Sequence, residues 1–423
     1  MNLTIWKRLF KTRYGVVLGL CILLQGALMA LSSPLLPIVI SDKVGLNKGE
    51  VMIFYLLNTF FSVVVTLATG YVSDGTIARH KLVIVGGIIA TFGYFGLAIA
   101  TLPIHAFASS IAIVGLAVLF PQLFAVVKAG VVEDWDRESQ VMGITAMRTL
   151  YSFGFVVGTA LASILAQVMN IQTIFFLITV GTIGITIFGA LVLRRVERYI
   201  AQQASRPANT TNTSTALPHR QMIPLYALIM PIVALTVIRG ADSTRGVYLS
   251  LAMFNLFHDA SIAPLMFGIT AAAELITMGF MGYLSTRIGE KSTIAIGTLV
   301  GAVYFGILSI SRSLPTLYFA NVLYAVYIAG MAGVAMAYIQ GLLAHRAGMG
   351  GSLYMAVQNL GTLIGILSPL LVTGYDQTIF VIPTILCVIG AGLLMFGDRT
   401  AQIQKRMQAA SVMVDSQEIL IAK

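Results

Sequence analysis

The 423 residues are 58% hydrophobic and only 10% charged, with a mean hydropathy of +0.91, which excludes a soluble globular domain and points to a polytopic membrane protein. The net charge of +10 does not mark a nucleic-acid binder, because no basic stretch combines density with interleaved aromatics. Cys21 and Cys387 both fall inside apolar runs, so neither a disulfide framework nor a metal site is expected, and no cofactor is implied.

The amino terminus carries Lys7, Arg8, Lys11 and Arg13 ahead of an apolar run from Tyr14 to Ile40. That run is too long for the apolar region of a cleaved signal peptide and is read as the first transmembrane helix. Crossing the hydrocarbon core takes about 20 apolar residues. By that measure the next five helices are Val51 to Val72, Leu82 to Thr101, Ala106 to Val127, Ser139 to Val168 and Thr173 to Leu193. The segment 194–221 is polar and rich in Thr, Asn and Pro, and it reads as a linker between two six-helix units.

The second unit, 222–396, holds Met222 to Leu251, Ile262 to Ser285, Thr293 to Ser311, Leu314 to Ile339, Gly351 to Thr373 and Ile379 to Phe396, followed by a soluble tail, 397–423. The expected fold is therefore an all-α membrane protein of twelve helices in two bundles, 1–193 and 222–396. All but six of the 26 Lys and Arg fall on one side: Lys43, Lys48 and Arg312 lie on the other, and Arg148, Arg239 and Arg245 lie within apolar runs. The basic side is expected to be cytoplasmic, with both termini on it, in a cell (inner) membrane.

Gly70-Tyr-Val-Ser-Asp74 leads into Arg79, His80 and Lys81 between the second and third helices, and Gly282-Tyr-Leu-Ser with Arg287 and Lys291 echoes it about half the chain later. One unit written twice accounts for this spacing. Gly70, Asp74, Arg79, Lys81 and Arg287 are expected to govern conformational change. Thr286 stands where the first copy has Asp74, so the two halves are expected to be locked unequally.

Small residues permit close contact between helices at Gly154 and Gly158, and at Ala329, Gly330, Ala332 and Gly333; the rival reading is a point that bends. Ionisable groups at mid-depth cost about 2.5 to 3.5 kcal/mol each and need a partner, water or a function. Glu274 lies twelve residues from Ile262, about 18 Å into its helix, near the midplane. It is a candidate for proton coupling, and the alternative is a structural ion pair with an arginine. Arg148 is placed either with Glu274 or on substrate. Arg239, Asp242 and Arg245 surround Gly240 and Gly246, where the seventh helix is expected to break, and they read as structural or gating residues.

Gln25, Asn58, Gln122, Gln358 and Asn359 are amides at mid-depth, and Tyr324 and Tyr327 offer flat amphipathic faces. Gln25, Asn58, Gln122, Arg148, Tyr327 and Asn359 are the candidate substrate-binding residues, since paired donors and acceptors suit hydroxyls and aromatic faces suit a sugar ring. Each amide could equally serve as an interhelical hydrogen bond. The Pro121 site is expected to open backbone groups of the fourth helix toward a cavity.

This pattern resembles the major facilitator superfamily over nearly the whole chain. Gly70 and Asp74 keep the spacing of its hinge, although Gly75 stands where Arg is expected and the basic pair is displaced to Arg79 and Lys81. Pro121-Gln-Leu-Phe-Ala125, Met147-Arg148, Thr270-Ala-Ala with Glu274, Gln340, Arg346-Ala-Gly348 and Asn359 resemble the sugar efflux transporters in particular. The superfamily's antiporter pattern in the fifth helix, Gly followed by Pro, is here Gly158-Thr159.

The resemblance implies export of small sugars or glycosides in exchange for protons, by a monomer that alternates access across the bilayer. A multidrug/proton antiporter of the same fold is the first alternative, and a sensor or scaffold a distant one. No enzyme activity is expected: the chain has no His-Glu-x-x-His, Gly-x-Ser-x-Gly or phosphate-loop motif.

Overall fold

The structure is a computed structural model that describes residues 3–73, 77–204, 226–342 and 347–395. An amino-terminal helix, Leu3–Lys11, precedes the bundle. The first half then contains α1 (Gly15–Lys43), α2 (Lys48–Ser73), α3 (Arg79–Ile99), α4 (Pro103–Gly130), α5 (Arg137–Val168) and α6 (Ile171–Ala204). The second contains α7 (Tyr226–Phe257), α8 (Ile262–Ile288), α9 (Glu290–Ile310), α10 (Leu314–Ile339), α11 (Ala347–Leu367) and α12 (Gln377–Met395). Among the described residues eleven helices are long and apolar enough to cross a membrane. The twelfth, α7, has the length but carries Arg239, Asp242 and Arg245 along its middle.

The all-helical architecture follows from the solvent: in hydrocarbon every backbone group must be paired within its own segment. The repeat is visible in the packing, since α1 lies on α5 as α7 lies on α11, and α3 lies on α6 as α9 lies on the start of α12. Glycine makes the closest of these approaches possible. A Cβ at Gly154 or Gly158 would overlap the carbonyl oxygens of Leu23 and Ala27, and one at Gly361 or Gly365 would overlap α7. The Gly154 and Gly158 pair is therefore a packing device.

Three helices depart from regular geometry where the sequence demands it. In α1 a turn at 33–35 is centred on Pro34, and a π-helical turn covers Val39–Lys43. In α4 a 3-10 stretch, Ile113–Val118, precedes Pro121, whose missing N–H leaves the helix one hydrogen bond short. In α10 a π-helical turn occupies Gly330–Val334, and the Tyr354 hydroxyl donates to the Met331 carbonyl within it at 3.3 Å.

Two sequence expectations change. α7 does not break at Gly240 or Gly246 but runs unbroken, because Gly240 serves as a contact point for Ile364 of α11. α6 extends past Leu193 through Arg194, Arg195 and Arg198 to Ala204, because Arg, Glu, Gln and Ala sustain a helix in water as well as in lipid. The remainder of the predicted linker and the tail from 397 lie outside the described residues.

At the start of α5 the Ser139 N–H donates to Asp136 at 3.0 Å, which caps the helix and holds the Asp136 carboxyl below the usual carboxylate range.

Each half has its own apolar core. That of the first half continues across the boundary into Val247, Tyr248, Leu251, Ile366 and Ile379 of the second. These five residues lie on the side opposite the Gly70 to Lys81 hinge, here called the far side.

Candidate functional site

Between the halves, at mid-depth, is a cavity of about 280 Å³ lined by α4, α5, α7, α8 and α10. Arg148 of α5, Arg245 of α7 and Glu274 of α8 are its charged groups. Hydroxyls come from Tyr151, Ser152, Thr270 and Tyr324, and Phe120, Phe155 and Phe267 form aromatic walls.

Arg245 is 2% exposed and organises the second half of the site. Its Nε donates to the Tyr304 hydroxyl at 2.7 Å, and its Nη2 donates to Asn321 Oδ1 at 2.9 Å and to Thr270 Oγ1 at 3.0 Å. The guanidinium lies 3.8 Å from the centre of the Tyr324 ring and 4.5 Å from that of Phe267. Three helices, α8, α9 and α10, are thus tied to one side chain of α7, with aromatic faces on the cation. Its acceptors are all neutral.

The neighbouring charges of α7 are satisfied differently. Arg239 and Asp242, one turn apart, form an ion pair, and the Tyr324 hydroxyl donates to the other Asp242 oxygen. Tyr324 therefore faces the cavity while it holds Asp242 from behind. Among the described residues neither Arg148 nor Glu274 has a side-chain hydrogen bond or ion pair, so these two cavity charges are open to a ligand.

Of the sequence candidates, Arg148 and Glu274 come together at this cavity. The others sit elsewhere. The Asn58 side chain donates to the Ser110 carbonyl at 2.8 Å, joining α2 to α4, and the Tyr327 hydroxyl donates to the Ile238 carbonyl at 2.6 Å, joining α10 to α7. Gln25 and Gln122 are buried, each with Oε1 lacking a partner among the described protein groups, and Asn359 is half-buried on α11. None of these five lines the cavity in this conformation. Arg245 is the residue that sequence reasoning placed in a different role, and the signal that could have found it is a cation mid-helix with no acid left to pair with.

The far side of the cavity is closed by contacts between the halves. Lys48 Nζ donates to the carbonyls of Val372 at 2.5 Å and Gly374 at 2.7 Å, and Ser163 Oγ donates to the Ser261 carbonyl at 3.0 Å. On the hinge side Glu197 of α6 accepts the Arg79 N–H at 2.7 Å and contacts His80 Nδ1 at 2.6 Å, capping the first turn of α3. The Arg79 Nη1 atom is buried without a described partner, and the Lys81 N–H donates to the Ala78 carbonyl. Arg287 stays on its own helix, with Nε 3.1 Å from the Tyr283 hydroxyl. Gly70 lies within α2, and Asp74 falls outside the described residues.

A family model described as Major Facilitator Superfamily matches residues 18–244 and 225–413. The chain is 26% identical over 355 residues to Sugar efflux transporter B of Salmonella typhimurium, covering 81% of this chain and 84% of that one. It is 23% identical over 346 residues to Sugar efflux transporter A of Escherichia coli, with 81% and 84% covered. Among solved structures, the nucleoside transporter NupG superposes with a TM-score of 0.68 at 16% identity, over 90% of this chain and 98% of that one. A bacterial homologue of the iron transporter ferroportin superposes with a TM-score of 0.68 at 16% identity, over 94% and 99%.

Proposed function

The chain belongs to the Major Facilitator Superfamily and is a multi-pass membrane transporter, and on that premise we propose that it exports small sugars or glycosides in exchange for protons. The observation that carries this reading is the shared cavity. It sets the hydroxyls of Tyr151 and Ser152 and the donors of Arg148 beside aromatic faces, and it leaves Glu274 without a fixed partner. Hydroxyl and guanidinium groups suit a polyol, and aromatic faces suit the apolar side of a sugar ring. The similarity to Sugar efflux transporters A and B supports the same substrate class.

Glu274 is the group that takes up and releases the proton, and Arg148 is the charge that answers it when the proton leaves. The two halves rock about this cavity, and the basic side faces the cytoplasm. In that orientation the far-side contacts of Lys48 and Ser163 close the cavity to the outside. Each proton moving inward draws about 2.3 kcal/mol per 100 mV from the membrane potential.

A multidrug exporter is the second reading. The walls of Phe120, Phe155, Phe267 and Met278 favour it, and no amide side chain lines the cavity. Two arginines against one glutamate weigh against it for cationic drugs. Transport of labelled sugar and of a cationic dye into everted membrane vesicles under a pH gradient separates the two.

A further inference from the structure

The cavity carries more positive than negative charge. Arg148 and Arg245 face it with only Glu274 of opposite sign. The remaining midplane charges, Arg239 and Asp242, cancel in their own ion pair. Arg245 is buried, yet its three hydrogen bonds go to the neutral oxygens of Tyr304, Thr270 and Asn321, and none neutralises it. A net charge held away from water is unfavourable in a membrane, so the one positive charge in excess calls for a counter-charge that arrives from outside the chain.

Resting on the carrier reading above, we propose that the transported sugar bears one negative charge, a carboxylate as in a uronic acid or a glycoside of one. With Glu274 ionised, a single carboxylate makes the loaded cavity neutral. A guanidinium binds a carboxylate through two parallel N–H donors, a match that Lys or a hydroxyl cannot reproduce. Arg148, whose side chain has no hydrogen bond among the described residues, can offer that pair, whereas the Nε and Nη2 of Arg245 are committed to Tyr304, Asn321 and Thr270 and Arg245 contributes its charge. The rings of Tyr324 and Phe267 hold the guanidinium plane in place, and Arg148 on α5 approaches from the other half of the molecule. A doubly charged phosphate ester would leave the cavity negative and fits less well.

Equilibrium binding to the purified full-length protein at pH 7, with labelled D-glucuronate and labelled D-glucose as probes, tests this directly. The wild-type protein should bind glucuronate at least tenfold more tightly than glucose. Two variants at open positions then step the cavity charge: Arg148→Gln removes one positive charge and Glu274→Gln adds one. The glucuronate-to-glucose ratio should fall in Arg148→Gln and rise in Glu274→Gln. A wild-type ratio of one or below overturns the negative charge while leaving the sugar carrier standing. A ratio above one that ignores both variants overturns the assignment to these arginines. Binding of neither probe overturns the sugar reading and this inference with it.

Discussion

Lys48 reaches across the molecule to the carbonyl of Val372, 2.5 Å away, so that the start of α2 is fastened to the segment after α11. The lysine spends its charge on two backbone oxygens, those of Val372 and Gly374, and so closes the far side of the central cavity.

Removing that clasp should loosen the closed side. Hydrogen bonds from charged groups contribute about 1.5 to 3 kcal/mol, and partial exposure of Lys48 places the effect at the low end. Lys48→Ala is expected to raise the population open on the far side by about tenfold. Labelling of a cysteine placed at Tyr375 would report it, and an unchanged labelling rate would remove Lys48 from the closure.

The contact between α1 and α5 predicts a contrast among glycines. Gly158→Ala places a Cβ into the Ala27 carbonyl and should cost about 1 to 3 kcal/mol, read as a lower unfolding temperature in detergent. Gly306→Ala, with open space around its Cβ, should cost nothing of the kind. Equal effects at both sites would contradict the packing described for α5.

Tyr324 joins the cavity to Asp242. Tyr324→Phe keeps the ring under Arg245 but leaves one oxygen of Asp242 without its donor, at a cost of about 1 to 3 kcal/mol. Thermal stability should fall while substrate affinity changes by less than about threefold. A large affinity loss with unchanged stability would mean that the hydroxyl serves substrate and not Asp242.

Eleven of the twelve helices were legible in the sequence because lipid demands long apolar runs, and the repeat was legible because Gly70 and Gly282 begin similar four-residue stretches near the ends of α2 and α8. The break expected in α7 was misread: glycine beside charge suggests an opening, yet Gly240 is small because α11 packs there. The amides were harder still. Nothing in the composition around Asn58 tells that the Ser110 carbonyl becomes available where α4 tightens, and only that geometry turns a candidate sugar ligand into a bond between helices. Arg148 and Glu274 were legible because a charge at mid-depth must be explained, whereas the place of Arg245 depends on Tyr304, Thr270 and Asn321, three residues from three other helices.

The hinge offers another test. Glu197 holds the first turn of α3 through Arg79 and His80. Glu197→Ala should speed amide hydrogen exchange in that turn by about tenfold, as expected for loss of a cap worth about 1 kcal/mol. Asp74→Asn should shift the balance between end states more than it shifts substrate affinity. A pure affinity loss would count against a mechanical role for this loop.

The proposed coupling of proton movement to sugar transport through Glu274 is read out in everted vesicles that carry each protein. With a pH gradient imposed, the wild-type protein should accumulate labelled sugar, and Glu274→Gln should lose that accumulation while retaining exchange of labelled for unlabelled sugar. Gradient-driven accumulation that persists in Glu274→Gln would remove Glu274 from the proton coupling.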